Sequence, residues 1–178
     1  MLMTESEYPL NMRNWGHTRK RHKPGDLFTY LMPDGKYRFL RLVSDRSQSG
    51  MGVPVNLLYF YDFAVDSRQP PPRDAFAPPH LLIPPQLTNN LGWVRGWFKF
   101  VAHWPLQTGE VFPRHCFQSE VFPDRYFDEH GNRIERPFEP LGSWAVTSYA
   151  MIDLHLSRAL GIPHAYDLAK QRSERRGS

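Results

Sequence analysis

From Leu27 to Val43 two apolar runs flank Pro33-Asp34-Gly35. Leu27, Phe28, Tyr30, Leu31 and Met32 precede the turn; Tyr37, Phe39, Leu40, Leu42 and Val43 follow it. The composition predicts a β-hairpin: Pro33 presets a negative φ, Asp34 bonds its own backbone, and Gly35 accepts a positive φ. A lone hairpin is marginal in water, so later segments must cover it. Val55 to Tyr61 is a continuous apolar run, rich in β-branched and aromatic residues and short for a helix, which predicts a central strand covered on both faces. Gly92 to Trp104 alternates with period two and predicts another strand, with Phe98, Phe100, Ala102 and Trp104 inward and Trp97, Lys99, Val101 and His103 outward.

The intervals are punctuated differently. Seven prolines between Ala64 and Asn90 exclude long helices and interior strands, leaving His80 to Ile83 as a short edge strand in a surface connection. Glu110-Val111-Phe112-Pro113 recurs as Glu120-Val121-Phe122-Pro123, a repeat to which no function is attached. Tyr126-Phe127-Asp128 and Arg133-Ile134-Glu135 bracket a turn-like Glu129-His130-Gly131-Asn132 and predict a short hairpin. Tyr149, Ile152, Leu156, Ala159 and Leu160 share one helical face, with Thr147 or Ser148 as N-cap, Gly161 as stop and Pro163 beyond, so a helix should lie across the sheet. The predicted class is α+β: mostly antiparallel β-sheet, hairpin-rich and strongly curved or barrel-like, with one C-terminal helix packed on it.

A chain of 178 residues suits one domain. Its net charge of +4 is carried by its ends. Residues 1–23 hold five Lys/Arg against two Glu, and residues 167–178 hold four against two acids, whereas residues 24–166 hold 13 basic and 14 acidic residues. The organisation predicted is a flexible basic arm (1–23), a single domain (24–166) and a flexible basic tail (167–178), since neither end shows apolar periodicity. Cys116 is the sole cysteine, so no intrachain disulfide forms and a reducing compartment suits the chain. Residues 1–20 lack the apolar core of a signal peptide and no run reaches membrane-span length, which predicts a cytoplasmic protein with no membrane partner.

Motifs of phosphate loops, dinucleotide-binding turns, nucleophile elbows and structural zinc sites do not occur. His80, His103, His115 and His130, with Asp62, Asp128 or Cys116, are the groups from which an acid/base or metal site would have to be assembled in space. The residues predict no catalytic centre, no metal and no cofactor. Trp93, Arg95 and Trp97, with Lys99, are the side-chain types that dominate protein interfaces. Together with Asp62 and Tyr126 they form the predicted partner-binding set. Two alternatives remain at this level: a nucleic-acid-binding module using the basic ends and surface aromatics, which the near-neutral body disfavours, and a hydrolase with a His/Asp site.

In order along the chain, Gly25-Asp26-Leu27-Phe28, Asp34-Gly35-Lys36-Tyr37, Tyr61-Asp62, Ile83-Pro84-Pro85, Trp93-Val94-Arg95-Gly96-Trp97-Phe98, His115-Cys116-Phe117, Tyr126-Phe127-Asp128-Glu129-His130-Gly131-Asn132 and Pro140-Leu141-Gly142-Ser143-Trp144 resemble the immunity protein 26 family. The resemblance runs from about Pro24 to Pro163. It implies an immunity protein that binds and neutralises a cognate toxin domain of a bacterial polymorphic or contact-dependent system, and it carries over no catalytic residue.

Overall fold

The computed structural model describes residues 8–176. Strands β1 (Asp26–Leu31) and β2 (Tyr37–Ser47) pair antiparallel, with Leu31 opposite Tyr37, across the predicted turn. Gly35 has φ +76°, and its N–H donates to the Met32 carbonyl at 3.0 Å. The Arg38 guanidinium closes the turn on Asp34 at 2.6 Å. Strand β3 (Val55–Tyr61) pairs with β2 and β4 (Leu81–Thr88) with β3, while β5 (Lys99–His103) pairs with β1. The sheet order is therefore β4-β3-β2-β1-β5.

The parity of residue numbers in the first three strands divides the core. Even positions Phe28, Tyr30, Leu40, Leu42, Leu58 and Phe60 meet Met12, Trp93, Phe98, Ile152 and Leu156 on one face. Odd positions Leu27, Phe39, Val43, Leu57, Tyr59 and Tyr61 meet Phe76 and Phe117 on the other. Successive strand side chains point to opposite faces, so a sheet covered twice needs the unbroken apolar runs seen in these strands. The second face is closed by a small sheet of β6 (Cys116–Gln118), β7 (Tyr126–Phe127), β8 (Arg133–Ile134) and β9 (Leu141–Ser143), in the order β8-β7-β6-β9 with β6 and β9 parallel. The β7–β8 pair is the short hairpin expected around Gly131, whose turn Asp128 holds by accepting from the His130 and Asn132 amides.

Four expectations change. Both sheets are open, with β4 and β5 as edges of the larger one, so the strands do not close into a barrel. Strand β4 is an edge strand but runs on through Pro84-Pro85, which the edge tolerates because one side needs no donors; the pairing with β3 is irregular there. In the Gly92–Trp104 stretch, Leu91–Val94 forms the one-turn helix α1, Phe98 and Phe100 pack on the first face, and Val101 and Trp104 pack on the second. The single inward set assumed one buried face, whereas this sheet has two. The predicted helix is α2 (Tyr149–Ala159), capped by Ser148 accepting from Met151 N at 3.2 Å, with Ile152 and Leu156 buried but Ala159 exposed. It is followed by a second helix, α3 (Ala165–Arg176), where a flexible tail was expected.

The segment before β1 is likewise docked as far as it is described, with residues 1–7 lying outside the described residues. Met12 is buried in the first core face, Trp15 N donates to Gly96 O at 2.7 Å, and Thr18 N donates to Val94 O at 3.0 Å. Gly96, at φ +85°, passes so close to Gly16 that a Cβ would lie 2.1 Å from its carbonyl oxygen. The anchor is Asp153, a carboxylate wholly buried on α2. It accepts from Asn11 N at 2.9 Å and Met12 N at 2.7 Å, and it meets His164 Nε2 at 3.0 Å. Burial pushes its carboxyl above the ordinary value, against those hydrogen bonds. Asp153→Ala orphans two amides and should cost about 1–3 kcal/mol. Thermal melts and hydrogen exchange check this, with faster exchange expected across residues 8–22; deletion of residues 1–20 should also lower the melting temperature. An unchanged melt for both variants would mean the docked segment contributes nothing.

Candidate partner-binding surface

Two buried polar clusters hang the segment between β5 and β6 on the second face of the large sheet. Arg41 occupies an odd position of β2 and is wholly buried; its Nη1 lies 3.1 Å from Glu110 Oε2 and its Nη2 donates to Trp104 O at 2.7 Å. Arg73 donates to both oxygens of Glu110 at 2.6 and 2.9 Å, and Gln107 N donates to Oε2 at 2.8 Å. Burial pushes the Glu110 carboxyl up, but the hydrogen bonds from Arg73 and Gln107 and the charge of Arg41 outweigh it and hold it at about 2. In the second cluster Tyr59, from β3, shares a short hydrogen bond with His115 Nε2 and accepts from Phe112 N at 3.1 Å. His115 Nδ1 lies 3.1 Å from Glu129. Burial raises the Glu129 carboxyl, yet the neighbouring imidazole outweighs it and brings it to about 2. Burial also pushes the Tyr59 hydroxyl far above its ordinary value. With Tyr59 and His115 enclosed in the core, this Tyr-His-Glu chain fastens one layer to another.

Two of the histidines considered for an acid/base or metal site share a neighbour, His115 and the exposed His130 facing Glu129 at 3.1 and 3.7 Å. The others stand apart: His103 faces Asp26 at 2.7 Å, His80 is 3.8 Å from Asp62, and Cys116 is buried. Among the described residues no group of three or more His, Cys, Asp and Glu side chains is placed to hold a metal ion. No helix among them is long and apolar enough to cross a membrane.

The predicted interface residues are dispersed. Trp93 is 4% exposed and stacks on Phe28 at 5.4 Å, so it belongs to the core and shows only an edge. Arg95 is exposed but donates to the Tyr149 hydroxyl at 3.0 Å, and Trp97 stacks on the same ring at 5.9 Å. Lys99 is exposed on the edge strand β5. Asp62 lies at the far side of the large sheet, where its N–H donates to His80 O, and Tyr126 lies in the small sheet.

A different surface gathers four of the exposed apolar side chains. Met51 is 70% exposed, Val53 50%, Val121 77% and Phe122 48%. One cleft of about 720 Å³ is lined by Arg19, Lys20, Arg21, Val53, Asn56, Asn89, Asn90 and the edge of Trp93. A second, of about 510 Å³, is lined by Val121, Phe122, Arg125, Phe127 and Trp144. Met51 and Val146 line both, so the two clefts adjoin. Backbone bonds hold this junction: Gly50 N donates to Trp144 O at 3.0 Å, and Thr147 N donates to Leu87 O at 2.7 Å. The sequence carries a signal for it that periodicity misses. Met51 and Val53 stand in a Gly50-Met51-Gly52-Val53-Pro54 loop, and Val121-Phe122 is followed by Pro123, so neither pair belongs to a strand or helix that could bury it. The two copies of the repeat have opposite fates, Glu110 being buried and Val121-Phe122 exposed.

Residues 23–125 match the family described as Immunity protein 26. The chain belongs to that family. The immunity protein 26 match spans the large sheet and reaches β6, so the resemblances noted after Arg125 lie beyond the matched range. Met51, Val53, Val121 and Phe122 fall within it, whereas Arg19, Lys20 and Arg21 precede it. Neither a curated protein nor a solved structure matches the chain.

Proposed function

We propose that this immunity protein neutralises a cognate toxin domain of a bacterial polymorphic or contact-dependent system by binding it in a stoichiometric complex in the cytoplasm, without catalysis. Membership of the family supplies the class of function. The observation that carries the mode of action is the convergence of Met51, Val53, Val121 and Phe122 on two adjoining clefts. Large apolar side chains exposed together are a cost in water that an interface recovers when it buries them. The surface sits on a double-faced core tied by buried ion pairs, so it is presented preformed, which reduces the ordering cost of association. Arg95 and Trp97, already engaged with Tyr149, form a secondary contact region in this reading.

Co-expression with the toxin domain encoded beside this protein should restore growth, and the two purified proteins should elute as one complex. Phe122→Ser should keep the wild-type melting temperature and cost about 2 kcal/mol of affinity, or roughly 30-fold, as expected for an interface anchor. A wild-type protein that neither binds nor protects would refute the immunity reading. A Phe122 variant that binds normally would move the interface elsewhere.

A further inference from the structure

The larger cleft differs in charge from the mainly apolar one beside it, whose lining holds one acid, Glu120, and one cation, Arg125. Arg19, Lys20 and Arg21 line it, and no carboxylate does. Arg19 and Arg21 form no ion pair among the described residues, and Lys20 spends its ammonium on the Phe100 ring, 3.5 Å from its centroid. Three consecutive like charges therefore crowd one rim with no acidic side chain among the described residues paired to Arg19 or Arg21. The side-chain amides of Asn56 and Asn90 make no hydrogen bond among the described residues, leaving their donors free to meet an acceptor. The strip from Gly16 to Thr18 is bonded to the α1 turn, so these cations stand on a docked segment that Gly96 and Val94 hold in place.

We propose that this cleft receives an acidic stretch of a protein partner, whose adjoining apolar side chains fill the neighbouring cleft over Phe122 and Trp144. The inference rests on the toxin-binding reading and adds the chemistry of the segment that is bound. Charge complementarity selects the acid: carboxylates entering beside Arg19 and Arg21 gain charge-assisted hydrogen bonds that no group among the described residues provides. Continuity with the second cleft selects a protein over a nucleic acid. Beyond Met51 the surface becomes mainly aliphatic, with Phe122 as its one strongly exposed ring, and one face of that ring already carries the Arg125 guanidinium, 4.1 Å from its centroid. Single-strand binding needs successive stacking platforms along a basic track, whereas here the three consecutive cations stand at one end and the second cleft carries Arg125 together with the carboxylate of Glu120. An acidic segment leading into apolar residues matches both halves in order.

The full-length protein is titrated with a short fluorescent peptide carrying a run of glutamates followed by leucine and phenylalanine. The peptide should bind, more weakly as salt is raised. Arg19→Glu, Lys20→Glu and Arg21→Glu combined should weaken binding at least about tenfold and flatten the salt dependence, whereas Phe122→Ser should weaken it without altering the salt slope. All three cations are exposed, so the melting temperature should stay near that of the wild type. A peptide with lysines in place of glutamates should not bind. Failure of the acidic peptide to bind, indifference to the charge reversal, or tighter binding of a labelled oligodeoxythymidine would each overturn the proposal. The toxin complex separates the two readings: if the charge-reversed protein still binds toxin like the wild type, immunity stands and the acidic docking fails.

Discussion

Glu110→Ala is expected to destabilise the fold by about 3–5 kcal/mol, because it leaves the wholly buried Arg41 charged and unpaired. Arg73, which is partly exposed, can turn its guanidinium to water, but Arg41 has no such exit. The loss should therefore follow Arg41: in an Arg41→Met background, Glu110→Leu should be far less costly than Glu110→Ala is in the wild type. Urea unfolding of the single and double variants measures this, and equal costs in both backgrounds would show that the pair is uncoupled. The effect also has a pH window. The Glu110 carboxyl is held at about 2 in the folded chain against an ordinary value of 4.5. A depressed folded value means stability that is complete above the unfolded value and is lost as pH falls from about 4.5 towards 2. The gap between wild type and Glu110→Ala should accordingly narrow on acidification. A gap independent of pH would mean that packing, not charge, carries the effect.

Phe98→Ala should cost about 3–5 kcal/mol, the range for truncating a fully buried phenylalanine, with a smaller loss for Phe100→Ala. Phe98 is 2% exposed, meets Phe60 edge-on at 5.7 Å, and lies so close over the α1 turn that a Cβ on Gly92 would come within 2.2 Å of its ring. Little around it can collapse into the void, because Gly92 is backbone and Phe60 is held in the central strand. Phe100 is half-buried, its ring shared between Phe28, His22 and the Lys20 ammonium. Trp97→Ala should cost least of the three, since that ring is half-buried at the margin of the first core face, where it stacks on Tyr149. Thermal melts of the three variants give the order, and a silent Phe98→Ala would reverse the facing of this segment.

These packing forces also bear on the proposed binding surface. The loops that display Met51 and Phe122 are tied back through Trp144, whose N–H donates to Gln118 O at 2.7 Å and whose ring stacks on Phe127 at 5.0 Å. Glu129 O accepts from Gln48 N at 2.8 Å, joining the loop before Met51 to the hairpin beyond Phe122. Loss of the buried clusters should thus loosen the interface as well as the fold, so affinity in variants such as Glu110→Ala is meaningful only below their unfolding transition.

Local pattern was enough for the elements whose causes are local. The turn at Gly35, the hairpin around Gly131, the twice-covered strand Val55–Tyr61, the Ser148 cap and the stop at Gly161 each depend on residues within a few positions of one another. Period-two alternation also separates the two faces of β1 to β3 once both are known to be covered. What lay beyond the sequence were relations between distant segments. Asp153 looks like a polar interruption on α2 until the Asn11 and Met12 amides are brought against it, and that contact, with the bonds of Trp15 and Thr18 to Gly96 and Val94, docks the N-terminal segment on the core. Trp93 has the composition of an interface residue, yet it stacks on Phe28, because aromatic residues serve cores and interfaces alike and only the neighbours distinguish them. The converse holds for Val121 and Phe122, whose repeat is matched ten residues earlier by a copy beginning at the buried Glu110. Local chemistry, acting through backbone preference and periodicity, determined which strands and turns form. Burial depends on which far-off side chains fill the same space, so the tertiary structure alone decided which charges are paired, which aromatics are core, and which apolar residues remain on the surface.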